Sequence, residues 1–270
     1  MRPFLASLLT TAVLVVAFVL YQNAVPDTSA PKTAAETSAK TDLTALSPDQ
    51  RSALRSEIRA YLLESPEVLM EAIQVLDARQ KQQKAQDELS LVADNKDAIF
   101  NDGISWVGGN PDGDVTLVEF QDYRCTYCRR AHDEVHAMVK NDGNIRLIVK
   151  EFPILGEQSL VSSQLAIATL HVAGPDAYIK LANFLIKFNG NLTEKTMTGI
   201  LGKLGLEPAP ILAAMKDSSV SSHIGSVHDL ALKLQVSGTP TFILGQKILR
   251  GYVPQATMIE MVKAVRTDNG

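Results

Sequence analysis

The segment from Val115 to Arg130 constrains this chain more than any other. A near-continuous apolar run, Val115 to Phe120, leads into Cys125-Thr-Tyr-Cys128, and these are the only two cysteines in 270 residues. A run of that kind is expected of a central strand covered on both faces. The residues from Cys125 to about Lys140, closed by Asn141-Asp142-Gly143, read as a helix. Cys125 then lies in its first turn, where unpaired backbone N–H groups and the positive end of the dipole favour an anion. That placement lowers a thiol pKa from ~8.5 into a range of roughly 3.5–7.5. Cys128, one turn on, is positioned to close an internal disulfide after Cys125 attacks. The pattern is that of redox chemistry.

A net charge of −4 gives no basic footprint for nucleic acid, so a nucleic-acid partner is not expected. The N-terminus reads Met1-Arg2-Pro3 and then runs apolar and uncharged from Phe4 to Tyr21. A basic start before an apolar stretch is an export signal. The run approaches the ~20 residues that span a bilayer, so residues 1–21 serve as a cleaved signal peptide or a retained anchor. Arg2 on the cytoplasmic side sends the remainder across the membrane. The expected location is the periplasm, soluble or tethered to the inner membrane, where disulfides persist.

Residues 22–47 shift to Ala, Thr, Ser, Pro and Lys without apolar period, a disordered linker. Ser47-Pro48-Asp49-Gln50 opens a helix with an N-cap and a proline at the first position. Leu54, Ile58 and Tyr61/Leu62 follow at helical spacing, and Ser65-Pro66-Glu67 restarts a second helix carrying Leu69, Ile73 and Leu76. The seam fades into Gln80, Gln83 and Asp87, so residues 48–92 read as a helical stalk that oligomerises. The alternative is an amphipathic helix packed on the following domain. Beyond the Gly/Asn/Asp-rich break of residues 101–113 the order is strand, helix, strand (Ile145–Val149), a helical block from about Gln158 to Gln235, a hairpin (Thr241–Leu244 and Lys247–Leu249) and a final helix from near Pro254 to about Arg266.

That order, with a dithiol opening the first helix and Gly238-Thr239-Pro240-Thr241-Phe242 opening the third strand, resembles a thioredoxin fold with a helical insertion. The position of the insertion is similar to that of the DsbA-like family of bacterial thiol–disulfide oxidoreductases. The fold class is thus α/β, with residues 100–270 as the catalytic domain and an N-terminal helical stalk ahead of it. The stalk, with Tyr61-Leu-Leu-Glu-Ser65-Pro66-Glu67, resembles the suppressor-of-copper-sensitivity C subgroup, whose members include oligomeric isomerases.

The resemblance implies Cys125 as a partly exposed nucleophile and Cys128 as its more buried resolving partner. It implies Pro240 as a cis-proline beside the dithiol, with Thr239 contacting the substrate and tuning the thiolate. Thr126 and Tyr127, between the cysteines, set how far the thiolate is favoured. Glu119 interrupts an apolar strand, which points either to a buried carboxyl of raised pKa or to a solvent-facing strand end. The resemblance makes it the acid that exchanges protons with the buried thiol. Arg124, Arg129 and Arg130 either add positive charge beside the sulfur or are solvated surface residues. The implied partners are cysteine-containing exported client proteins, a membrane redox partner that recycles the dithiol, and further copies of the chain; no cofactor is implied.

Two rival readings remain. Cys125, Cys128, His132 and His136 roughly share one helical face, and thiolates favour zinc or Cu(I). Four side chains pointing the same way from one helix make a poor tetrahedron, so no metal site is expected. The other rival is a periplasmic holdase in which the dithiol is secondary. His171, His223 and His228 are scattered and read as structural or surface residues.

Overall fold

The computed structural model describes residues 46–268, which fall into two compact units, 46–69 and 70–268. The predicted export signal and most of the predicted linker lie outside the described residues. Among the described residues no helix is long and apolar enough to cross a membrane.

The first unit holds helix α1 (Pro48–Glu64), which starts as its sequence dictates. Ser47 accepts from the Gln50 N–H, the Gln50 side chain returns the bond to the Ser47 N–H, and Pro48 occupies the first turn. None of its residues is buried. Helix α2 (Glu67–Asp94) follows the Ser65-Pro66 break, and its one buried residue is Val92.

In the second unit, α3 (Lys96–Phe100) precedes a five-stranded sheet: β1 (Trp106–Gly109), β2 (Val115–Gln121), β3 (Ile145–Glu151), β4 (Thr241–Leu244) and β5 (Lys247–Arg250), ordered β1-β3-β2-β4-β5. Strands β2 and β3 are parallel, joined by the crossover helix α4 (Thr126–Asp142), and all other pairings are antiparallel. Between β3 and β4 lie α5 (Glu157–Ala173), α6 (Pro175–Leu185), α7 (Glu194–Lys203), α8 (Pro208–Ala214) and α9 (Ser218–Lys233). Helix α10 (Gln255–Asp268) ends the fold.

Strand β2 is central, so both its faces are covered. Leu117 packs with Ile145, Leu147, Val149 and α4 on one side; Val118 and Phe120 pack with Ile148, Ile243, Ile99 and α9 on the other. Each such side chain contributes roughly 1.5–3 kcal/mol on burial, which accounts for the unbroken apolar run. Strand β1 is not visible in the sequence pattern, where residues 101–113 read as a break, and helix α3 falls in the short stretch between the predicted stalk and that break. Gly108 and Gly109 carry turn chemistry, yet they extend an edge strand bonded only to β3. Gly108 is required by packing: a Cβ there would run into the Trp106 ring.

Lys150 alternates onto the α9 side of β3 and is fully buried. Its ammonium donates to Asp102 and to the Ala98 carbonyl, 2.8 Å away, which fastens α3 across the sheet.

Candidate active site

The turn between β2 and α4 is built around Asp122. Its carboxylate accepts from the backbone N–H of Arg124 (2.7 Å), Ile154 (2.8 Å) and Leu155 (3.0 Å) and from the Ser159 hydroxyl (2.8 Å). Its carbonyl accepts from the Cys125 N–H. The loop carrying the first cysteine is thereby pinned to the β3–α5 connection. Asp122 was not among the expected site residues, although an Asp accepting from the N–H two residues on is a turn signal.

Cys125 is the N-cap of α4, with extended backbone, and Cys128 lies one turn inside. Both thiols are free. Cys128 is fully buried, and Cys125 is only 7 % exposed, less open than the partly exposed nucleophile expected. The cover includes the Thr239 segment, whose carbonyl accepts from the Cys125 thiol at 3.1 Å.

The two sulfurs are driven apart in acidity. A hydrogen bond from the Cys128 thiol pulls Cys125 down to about 5, helped by the Thr239 side chain and the N–H groups of Cys128 and Tyr127, against the opposing effect of burial. The Thr239 carbonyl contact works the other way, since a carbonyl accepts from a thiol but only repels a thiolate. Cys128 is pushed far up, first by donating to Cys125, then by burial and by the charge of Glu119. One sulfur is a thiolate at neutral pH and its neighbour a thiol.

The Thr239–Pro240 peptide bond is cis, as the resemblance implied. Pro240 is buried at the head of β4, and its carbonyl accepts from the Gly251 N–H. Thr126 is exposed and Tyr127 is 60 % exposed, so what reaches the thiolate from Tyr127 is its backbone N–H. The arginines hold loops. Arg124 donates to the Gly190 carbonyl and Gln158, Arg129 donates to the carbonyls of Tyr123 and Phe188, and the Arg130 guanidinium lies 4.4 Å from the centre of the Tyr252 ring.

Glu119 faces the dithiol side of the sheet and is 1 % exposed, and among the described residues neither carboxyl oxygen has a hydrogen-bond partner. Burial, with Glu151 and Cys125 adding negative charge nearby, pushes it up to about 8. The solvent-facing alternative is therefore not the one adopted: as the second residue before the end of a central strand, Glu119 lies between Val149 of β3 and Phe242 of β4. Glu151 was not foreseen. It is also buried, and it accepts from Tyr123 (2.7 Å), Tyr178 (2.6 Å) and Ser163 (2.7 Å).

His132 and His136 do not join the cysteines. The His132 ring pairs with Asn183 at 2.8 Å and lies 4.3 Å from His136, whose ring packs near Trp106. Burial holds both imidazoles below their usual range, His136 at about 4. Among the described residues no three His, Cys, Asp or Glu side chains are grouped to hold a metal ion.

Residues 101–264 match the family model described as Thioredoxin, and residues 50–83 match the copper resistance protein ScsC N-terminal domain. A thioredoxin-like oxidoreductase from Silicibacter pomeroyi DSS-3 is similar in structure at 38 % identity, covering 64 % of this chain and 98 % of that one with a TM-score of 0.59. Proteus mirabilis ScsC in a transitional conformation is similar over 81 % of this chain and 98 % of that one, at 26 % identity and a TM-score of 0.59. A periplasmic thioredoxin-like protein from Salmonella enterica serovar Typhimurium covers 63 % of this chain and 94 % of its own, at 28 % identity and a TM-score of 0.57.

Among curated proteins, disulfide bond formation protein D of Bacillus subtilis is 22 % identical over 63 % of this chain and 84 % of its own length. The Na(+)/H(+) antiporter NhaA 1 of Salinispora arenicola is 27 % identical over 51 % of this chain, but the chain spans only 21 % of that protein. The family match covers the sheet, both cysteines and the Thr239–Pro240 segment together. This chain belongs to the thioredoxin family and is a thiol–disulfide oxidoreductase.

Proposed function

We propose that the protein exchanges disulfides in exported, cysteine-containing clients through Cys125 and Cys128, chiefly as an isomerase or reductase in the periplasm. The observation that carries this reading is the placement of the two sulfurs, Cys125 at the head of a helix beside the cis Thr239–Pro240 bond and Cys128 buried one turn inside, which splits their acidity. The Cys125 thiolate attacks a client disulfide and forms a mixed disulfide, and the client's second sulfur leaves as a thiolate. If the client rearranges, its own thiolate displaces Cys125 and returns the enzyme unchanged. If it does not, Cys128 attacks Cys125, the client leaves reduced, and the enzyme leaves oxidised.

Thr239 and Pro240 supply the client contact. An extended peptide lying along this segment finds the Thr239 backbone beside the sulfur, and Pro240 offers no N–H to compete for pairing. Thr126 and Tyr127 form the exposed surface the client meets. Glu119 exchanges a proton with Cys128. The domain reading that goes with this is a leader in residues 1–21, a linker to 47, a stalk over 48–92 and a catalytic domain over 100–270 with its insertion at about 158–235. The stalk joins copies of the chain, as the wholly unburied α1 requires of an amphipathic helix that is to be stable. Several dithiols around one client raise the effective concentration that reshuffling needs. A membrane redox partner keeps the pair reduced.

The test is a pair of serine variants assayed for insulin reduction and for recovery of a client with scrambled disulfides. Cys125→Ser is expected to abolish both. Cys128→Ser is expected to lose insulin turnover and accumulate mixed disulfides. A Cys125→Ser protein that still protects clients as well as the parent would instead make it a holdase.

A further inference from the structure

Glu151 closes β3 on the same sheet face as Glu119, one strand across and two residues along: Glu119 is level with Val149, and Glu151 is level with Gln121. Both residues are 1 % exposed. Their settings differ sharply. Three hydroxyl groups, from the β2–α4 turn (Tyr123), α5 (Ser163) and α6 (Tyr178), converge on the two oxygens of Glu151, and the Gln121 amide lies 3.5 Å away. Among the described residues nothing donates to Glu119.

Two carboxylates in one buried space do not both ionise near neutral pH, and the proton goes where the anion is least supported. Hydroxyl donors support the anion at Glu151 alone. Taking Cys125 and Cys128 as the exchanging pair, we propose that Glu151 is a positioning residue for the reaction: clamped by Tyr123, Tyr178 and Ser163, it carries the negative charge of the pair and leaves Glu119 as the proton carrier for Cys128. The charged and titratable groups facing the pair are Cys125 and Cys128 from α4, Tyr123 from the turn and Tyr178 from α6. From β4, Phe242 is level with Glu119 and brings no charge. The order of acidities agrees, with Glu151 raised to about 6 and Glu119 to about 8.

The proton then moves in step with the sulfur chemistry. When a client thiolate attacks oxidised Cys125, the Cys125–Cys128 bond breaks. Its electron pair leaves on the Cys128 sulfur, which takes the Glu119 proton. In reverse, Cys128 gives its proton to the Glu119 carboxylate and attacks Cys125 in the mixed disulfide. The client departs as a thiolate and is protonated by water. A fixed charge at Glu151 holds Glu119 near the acidity at which it can serve both directions.

Two readouts on the intact chain test this. One is the pH profile of the rate at which the reduced protein reduces a small aromatic disulfide. The other is the infrared C=O band of protonated Glu119, identified by its loss in Glu119→Gln. In the parent protein the band is expected to disappear with a midpoint near pH 8. Removing the charge with Glu151→Gln is expected to move that midpoint to lower pH by about one pH unit, because the like charge that helps hold the Glu119 proton is gone. Tyr178→Phe removes one donor from the Glu151 carboxylate, so Glu151 is ionised over less of the range; the midpoint moves the same way by less, and the rate profile follows the band in each case. A midpoint unmoved in folded Glu151→Gln overturns the proposal; if that variant does not fold, an unmoved midpoint in Tyr178→Phe overturns it. Failure of the exchange reading looks different: the parent protein would reduce no disulfide, while the infrared titration of the two carboxyls would be unaffected.

Discussion

Glu119 is held as an acid where the unfolded chain would ionise it, and the consequence for stability has a definite sign. Its pKa rises from 4.5 to about 8 on folding. Between those values the folded state keeps a proton that the unfolded state has lost, so stability falls as pH rises through that window. A tenfold change in acid strength is worth ~1.4 kcal/mol, which makes the whole effect a few kcal/mol. Glu119→Gln is therefore expected to stabilise the protein by a few kcal/mol above pH 8 and to change little near pH 4.5. Urea unfolding at the two pH values measures this; an equal effect at both would show that Glu119 is not a buried acid.

Asp122 matters at the scale of elements because it joins the β2–α4 turn to the β3–α5 connection. Asp122→Ala strips the acceptor from the N–H groups of Ile154 and Leu155 and from Ser159 at one stroke. The expected cost is about 2–4 kcal/mol in chemical denaturation, with Asp122→Asn costing less because an amide oxygen still accepts. A loss within ~0.5 kcal/mol, ordinary for a surface change, would mean the two loops hold themselves. The contrast with what the sequence revealed is physical. Strand β2, helices α1 and α4 and the β4–β5 hairpin carry local signals: an apolar run, a capping box, a closing glycine, a two-residue turn. So does the dithiol. The partners of Glu151 come from a turn and two helices well separated along the chain, and β1 exists only because β3 offers it an edge. Neither leaves a periodic trace. The reach of Arg124 and Arg129 to Gly190 and Phe188 of the insertion is hidden for the same reason.

For the whole molecule, the apolar residues of α1 and the start of α2 set the question of assembly. Leu54, Ile58, Tyr61 and Leu69 of the first unit and Ile73 of the second are all exposed, apolar side chains that packing against another copy would take out of water. Deleting residues 47–86 is expected to lower the mass seen by light scattering to that of a single copy of the remaining chain, and to reduce client reshuffling more than insulin reduction. A mass per particle that does not fall would remove the oligomer from the account. The acidity of the two sulfurs is read most directly on the intact, reduced chain, by site-resolved alkylation and mass spectrometry across pH. Cys125 is expected to label with a midpoint near pH 5 while Cys128 stays unlabelled, and a Cys125 midpoint at the ordinary thiol value of 9.0 would contradict the account.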